Sequence, residues 1–201
     1  MEARSEAPPS RRISATRKLT HMALALVPAA GWWLSFQAAL ALSILFLAAS
    51  LAVEVARRWR PALNQVLWQL LPSIFRPWEG QRVMGSTWFA LGALLTLAVL
   101  GRDVGGTALL FLTWGDPAAE IVGRTWGRQT GGKTVAGSLG CLGACLVAGV
   151  VGMGLGGLPP WTVLAGAVAA TLVERWSPPP DDNVWIPIAG GLAMAAMEMV
   201  L

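Results

Sequence analysis

Apolar residues fill most of this chain in long runs that short polar stretches interrupt. The runs predict about seven helical spans, over residues 19–34, 37–55, 86–101, 104–122, 136–156, 160–174 and 184–200. Between the second and third, Leu63, Val66, Leu67, Leu70 and Leu71 recur at helical spacing. That pattern predicts an amphipathic helix, either lying on the inner membrane surface or capping the bundle. The glycine-rich piece from Gly149 to Gly157 permits close helix packing, and Ser177 to Pro180 forms a stiff connector.

Composition fixes the class. Hydrophobic residues make up 55% of the chain and charged residues only 13%, and the mean hydropathy is +0.57. An all-α, polytopic membrane protein with its N-terminus in the cytoplasm is expected, multi-pass in the cell membrane. With that orientation every Lys and Arg except Arg102 falls on the inner side, as the positive-inside rule requires. Residues 1–16 are polar, with Pro8, Pro9, Arg11 and Arg12, and are expected to be a disordered tail before a single transmembrane catalytic domain, 17–201. The twin arginines before the run Leu19–Trp33 also allow a secretion signal ending near Ala29 and Ala30. Cys141 and Cys145 stand four apart in an apolar run, where they are expected to pack as free thiols.

The crowded polar block, Gly115 to Gly140, carries the candidate chemistry. Asp116 followed by Pro117 reads as an N-cap with proline in the first helical position, so a helix is expected to start there and the span to be broken. Asp116, Glu120 and Arg124 recur every four residues, which puts two carboxylates and a guanidinium on one stripe. Carboxylates so placed suit Mg²⁺, which takes oxygen ligands and shares them with phosphates. Gly123, Gly127, Gly131 and Gly132 free the backbone to approach a phosphate, and Arg124, Arg128 and Lys133 supply positive charge. A nucleoside triphosphate site is expected, though not a Walker-type loop. Charged residues at membrane depth usually hold an ion, a substrate or a partner charge.

The string Gly-Asp-x-x-Ala-x-x-x-Gly-Arg-x-x-Gly-Arg at 115–128, then Lys133, Thr134, Gly137 and Ser138, resembles the signature of the dolichol kinase, phytol kinase and CTP-dependent diacylglycerol kinase family. Arg17, Lys18 and His21 resemble that family's opening motif, which argues that the first segment is kept. Arg76, Pro77 and Glu79, with Gly85 and Thr87, resemble its second block, and Asp181, Asp182 and Asn183 with Pro187 its last, preceded by Glu174. The resemblance implies transfer of the γ-phosphate of CTP to a lipid alcohol such as phytol, a polyprenol or diacylglycerol. It implies that Asp116 holds Mg²⁺, with Glu120 or Asp182 as second ligand. Lys133, Arg124 and Arg128, with Gly127, Thr134, Gly137 and Ser138, would bind the triphosphate, and Asp181 or Asp182 would orient the hydroxyl.

Two rivals remain open on sequence. The central motif is shared in looser form with CDP-diacylglycerol synthases, in which a phosphatidate attacks the α-phosphate of CTP. A non-catalytic scaffold or transporter would call for charge reaching the outer face, where the chain offers Arg102, Asp103 and, near the end of the last span, Glu198. No nucleic-acid partner is expected.

Overall fold

A computed structural model of the chain describes residues 19, 21–70, 79, 82–128 and 132–200. The 1–16 tail and the motif residues Arg17, Lys18 and Arg76 lie outside the described residues. Those described form helices joined by short connections, with no strand among them. In chain order they are α1 (Leu26–Trp33), α2 (Phe36–Trp59), α3 (Pro61–Leu70), α4 (Gly85–Leu110), a π-helical turn (Phe111–Gly115), α5 (Asp116–Trp126), α6 (Val135–Gly156), α7 (Pro160–Trp176) and α8 (Asp182–Val200). Among the described residues, four stretches are long and apolar enough to cross a membrane: Phe36–Trp59, Gly85–Trp126, Val135–Gly156 and Asp182–Val200.

The 42-residue stretch Gly85–Trp126 is not straight. Gly101 adopts φ 73° and ψ −168°, a conformation that only glycine enters at little cost. The chain reverses there, and a Cβ on Gly105 would stand 3.0 Å from the Thr96 carbonyl oxygen. The two arms of this hairpin correspond to the separate runs 86–101 and 104–122. Other helix ends follow from local chemistry. Ser35 accepts from Ala38 N (3.0 Å) to cap α2, Thr134 accepts from Gly137 N (3.0 Å) to cap α6, and Gly157 in the left-handed region closes α6.

Asp116 departs from the expected cap. Its φ and ψ, −63° and −46°, are helical, and its N–H bonds to the Leu112 carbonyl. The helix therefore runs through Asp116 instead of beginning there. The reason lies in Pro117, which cannot donate to the carbonyl of Thr113 and whose ring crowds it. A widened π turn just ahead absorbs that conflict without ending the helix.

The core is organised on Phe111, the first residue of that turn and fully buried. A Cβ added at Gly166, Gly190 or Gly149 would lie 2.9, 3.3 or 3.7 Å from its ring, so α7, α8 and α6 each offer a glycine to the same aromatic side chain. Cys141 and Cys145 are free and buried, with sulfurs 3.9 Å apart, and they pack behind Gly115. Exposed tryptophans mark both ends of the bundle. Trp59, Trp126 and Trp176 close α2, α5 and α7 at one end, while Trp33 and Trp161 stand at the other. Such belts occur where rings meet lipid headgroups.

Because Gly166 faces both Phe111 and Met194, Gly166→Val overfills a close-packed slot and is expected to cost about 1–3 kcal/mol. A Cβ at Gly154 meets nothing, so Gly154→Val serves as the neutral control in thermal unfolding of the detergent-solubilised protein.

Candidate active site

The ends of α2, α5 and α7 and the starts of α4, α6 and α8 meet at one end of the bundle, and the polar motifs gather there. At the centre stands Lys133, just ahead of α6. Its ammonium lies 2.8 Å from Glu174 Oε1 at the end of α7 and 3.0 Å from Asp182 Oδ2 at the start of α8. Arg175 donates to the Lys133 carbonyl, and Ser177 Oγ donates to Asp182 Oδ2 at 3.2 Å. Burial alone would lower the pKa of Lys133. Asp182 and Glu174, with a smaller contribution from Asp116, outweigh it and raise the pKa above the ordinary lysine value. The stability that this charge contributes is present in full below the unfolded lysine pKa and is lost only as pH rises through the higher folded one, so the ammonium persists across neutral pH.

Asp116 is buried on α5, and its carboxylate faces His21 Nδ1 at 3.9 Å. His21 in turn meets the edge of Phe89 on α4, with ring centroids 5.6 Å apart. Two motifs nearly a hundred residues apart thus share one corner. Glu120 and Arg124 form the ion pair that their four-residue spacing allows, at 3.1 Å. Asp181 Oδ1 accepts from Asn183 N (3.0 Å) and Asn183 Nδ2 (2.6 Å), an Asx arrangement at the start of α8. Asn183 also donates to the Gly85 carbonyl at 3.5 Å, while Gly85 N donates to Glu79 Oε1 at 2.9 Å. Glu79 and Asn183 therefore hold the start of α4.

The motif glycines serve packing here. A Cβ at Gly123 would stand 2.8 Å from Thr134 Oγ1, one at Gly127 would overlap that hydroxyl, and one at Gly137 would meet the Ala119 carbonyl at 2.8 Å. Their absent side chains let the last turns of α5 lie against the first turn of α6. Ser138 sits on that same turn, its hydroxyl 3.4 Å from the Thr134 carbonyl. Arg128 is exposed beside this junction.

Sequence reasoning missed two features. Residues 127–134, Gly-Arg-Gln-Thr-Gly-Gly-Lys-Thr, do satisfy the letters of a Walker loop. The setting differs, because the segment joins two helices instead of a strand and a helix. What it keeps is a lysine before a capped helix N-terminus, an arrangement that favours anions. The second omission is a buried pair on α2, signalled only by charges in an apolar run. Arg57 Nε donates to Glu54 Oε2 at 3.0 Å and Nη1 donates to the Glu79 carbonyl at 3.0 Å, with a further bond to the Arg82 carbonyl. This pair fixes the segment leading into α4.

The residues expected at a metal were Asp116 with Glu120 or Asp182 as second ligand, and both candidate second ligands carry a cation partner. Glu120 is engaged by Arg124 and Asp182 by Lys133, and among the described residues no three His, Cys, Asp or Glu side chains have metal-holding geometry. Mg²⁺ commonly takes one or two carboxylates and completes its shell with phosphate and water. Asp116, buried and close to the Lys133 ammonium, fits that mode as a protein ligand.

Sequence comparison places relatives beside this geometry. The chain is 33% identical over 105 residues to CTP-dependent diacylglycerol kinase 1 of Eremothecium gossypii, a match covering 50% of this chain and 32% of that protein. It is 27% identical over 154 residues to the protein of the same name from Schizosaccharomyces pombe, covering 67% of this chain and 70% of the relative. The resemblance carried by the motifs is thus borne out by relatives in the CTP-dependent diacylglycerol kinase group. No family model matches the chain, and no solved structure does.

Neutralising either charge at this centre separates a functional from a structural role. Asp116 lies within the helix and is not its N-cap, so Asp116→Asn is expected to fold normally and to lose about a hundredfold or more in nucleotide-dependent turnover. Lys133→Met is expected to raise KM for nucleotide and to lower kcat, with partial recovery in Lys133→Arg. Kinetics unchanged in both would leave these residues as packing charges.

Proposed function

We propose that this protein is a CTP-dependent lipid kinase, transferring the γ-phosphate of CTP to the hydroxyl of a membrane lipid alcohol of the diacylglycerol or polyprenol type. The observation that carries the reading is the meeting of Lys133, Asp116, Glu174 and Asp182 at one end of an apolar helical bundle, in a chain similar to CTP-dependent diacylglycerol kinases. Phosphoryl transfer asks mainly for positioning and for neutralisation of negative charge. Lys133 supplies the ammonium nearest the carboxylates, the N-terminus of α6 supplies backbone N–H groups, and Arg124 and Arg128 supply further charge along the triphosphate. Asp116 would hold Mg²⁺, which when bound neutralises the phosphate oxygens.

In the topology that goes with this reading, seven spans cross the cell membrane with the N-terminus inside, and the α4 hairpin counts as two of them. CTP then enters from the cytoplasm, while the lipid alcohol arrives sideways in the inner leaflet with its hydroxyl at the level of Trp126 and Trp176.

Two experiments test the proposal. Purified protein in nanodiscs, given CTP labelled at the γ-phosphate with diacylglycerol, phytol, geranylgeraniol or a polyprenol, is expected to yield a labelled lipid phosphate and CDP. Label that enters the lipid only from the α-phosphate, with release of pyrophosphate, would show nucleotidyl transfer instead. For topology, Cys141 and Cys145 are replaced and single cysteines introduced at Gly132 and Ser35. An impermeant thiol reagent should reach Gly132→Cys only in inside-out vesicles, with protection by CTP and Mg²⁺, and Ser35→Cys only in right-side-out ones. The opposite pattern would invert the orientation.

A further inference from the structure

We propose that Glu174 is the catalytic base that receives the proton of the substrate hydroxyl, an assignment that rests on the kinase reading and names its proton acceptor. Glu174 is nearly inaccessible, with its side chain 4% exposed. One carboxylate oxygen, Oε1, accepts from Lys133 at 2.8 Å. The other, Oε2, is buried and accepts from no donor among the described residues. A buried carboxyl oxygen without a partner is costly and calls for an explanation in function or in a missing ligand.

The remaining carboxylates are occupied differently. Asp181 Oδ1 takes two bonds from Asn183, Asp182 Oδ2 takes Lys133 and Ser177, Glu120 takes Arg124, and Asp116 faces His21. What Oε2 lacks is a donor, and the chemistry of the two substrates decides which of them supplies it. The triphosphate end of CTP offers acceptors, whereas a lipid alcohol brings an O–H to the same place. Because Oε1 and Oε2 belong to one carboxylate, an alcohol bonded to Oε2 stands next to a phosphate bonded to Lys133. A single ammonium–carboxylate pair thereby sets nucleophile and electrophile side by side.

The step balances without a further reactant. The alcohol oxygen forms a bond to the γ-phosphorus as its proton passes to Glu174 Oε2. The bond from that phosphorus to the β–γ bridging oxygen breaks, and CDP leaves with the electron pair. The proton on Glu174 then passes to water, restoring the carboxylate.

The test is Glu174→Gln in nanodiscs, with γ-labelled CTP and an alcohol that the unaltered protein phosphorylates. The amide oxygen still accepts from Lys133, but the group can no longer accept a proton. We expect kcat to fall about a hundredfold or more and KM for CTP to stay within about threefold. A kcat for Glu174→Gln within about threefold of the unaltered protein would overturn the assignment. So would a loss seen wholly in KM for CTP, which would leave Glu174 only positioning Lys133, or one recovered at saturating Mg²⁺, which would make it an ion ligand. Should Glu174→Gln fail to insert, Glu174→Asp carries the test. It keeps the charge but withdraws it by one methylene, and a large loss of kcat with unchanged CTP binding is expected. An unaltered protein that phosphorylates no lipid alcohol overturns the kinase reading itself, which sets that failure apart from failure of the base.

Discussion

An ammonium between two carboxylates holds this protein's polar end together. Lys133 reaches Glu174 and Asp182 from the segment between α5 and α6, and so ties the end of α7 and the start of α8 to the start of α6. Helices in a membrane gain little from hiding apolar surface against one another, because lipid tails are equally apolar. Polar contacts at the ends therefore count for more in fixing which helix meets which. The cost of taking these charges out of water is met only while all three stay together, so loss of any one strands the others. Arg175 and Ser177 extend the arrangement by bonding to Lys133 and Asp182.

A second charged lock works on the other side of the bundle. The Arg57 guanidinium divides its donors between Glu54 and the carbonyls of Glu79 and Arg82, and Glu79 and Asn183 both bond to Gly85. A continuous ladder of bonds thus runs from α2 through the start of α4 to Asn183, beside Asp182. Close helix packing supports it from within. A Cβ at Gly92 would stand 2.5 Å from the Asn183 carbonyl, so α4 and α8 touch through their backbones where the ladder crosses.

Much of this was legible in the sequence, and what was not has a physical cause. Hydropathy runs located the helices closely, because burial in lipid is a property of a segment by itself. The reversal at Gly101 fell between two of the runs, and the amphipathic stretch from Leu63 onward became α3, with Leu63 and Leu67 half-buried. The motif residues His21, Asp116, Lys133, Glu174 and Asp182 did come to one end of the bundle. Roles set by packing and local helix geometry were harder to read. Asp116 looked like a cap because Pro117 follows it, yet the π turn from Phe111 lets the helix continue. Gly123, Gly127 and Gly137 were expected beside the triphosphate, and the structure shows that they also give the clearance for Thr134 and for the crossing of α5 and α6. Glu54 and Arg57 stood in plain sight, but only the fold shows that the carbonyls of Glu79 and Arg82 close on Arg57.

The position of the cluster along the bundle carries the last step. A reaction between a triphosphate and a lipid alcohol joins a molecule that stays in water to one that stays in the bilayer, so the site has to open to both without letting water flood the reacting atoms. Lys133 is about one-third exposed, whereas Glu174 next to it is almost wholly enclosed. That gradient runs over the length of a single ion pair. In the proposed reaction the ammonium is the partner open to a charged nucleotide, and the carboxylate is the enclosed one. A soluble kinase closes a lid to create such a boundary; in the proposed reaction the end of the helical bundle would provide it, where α5, α7 and α8 hold their charged residues.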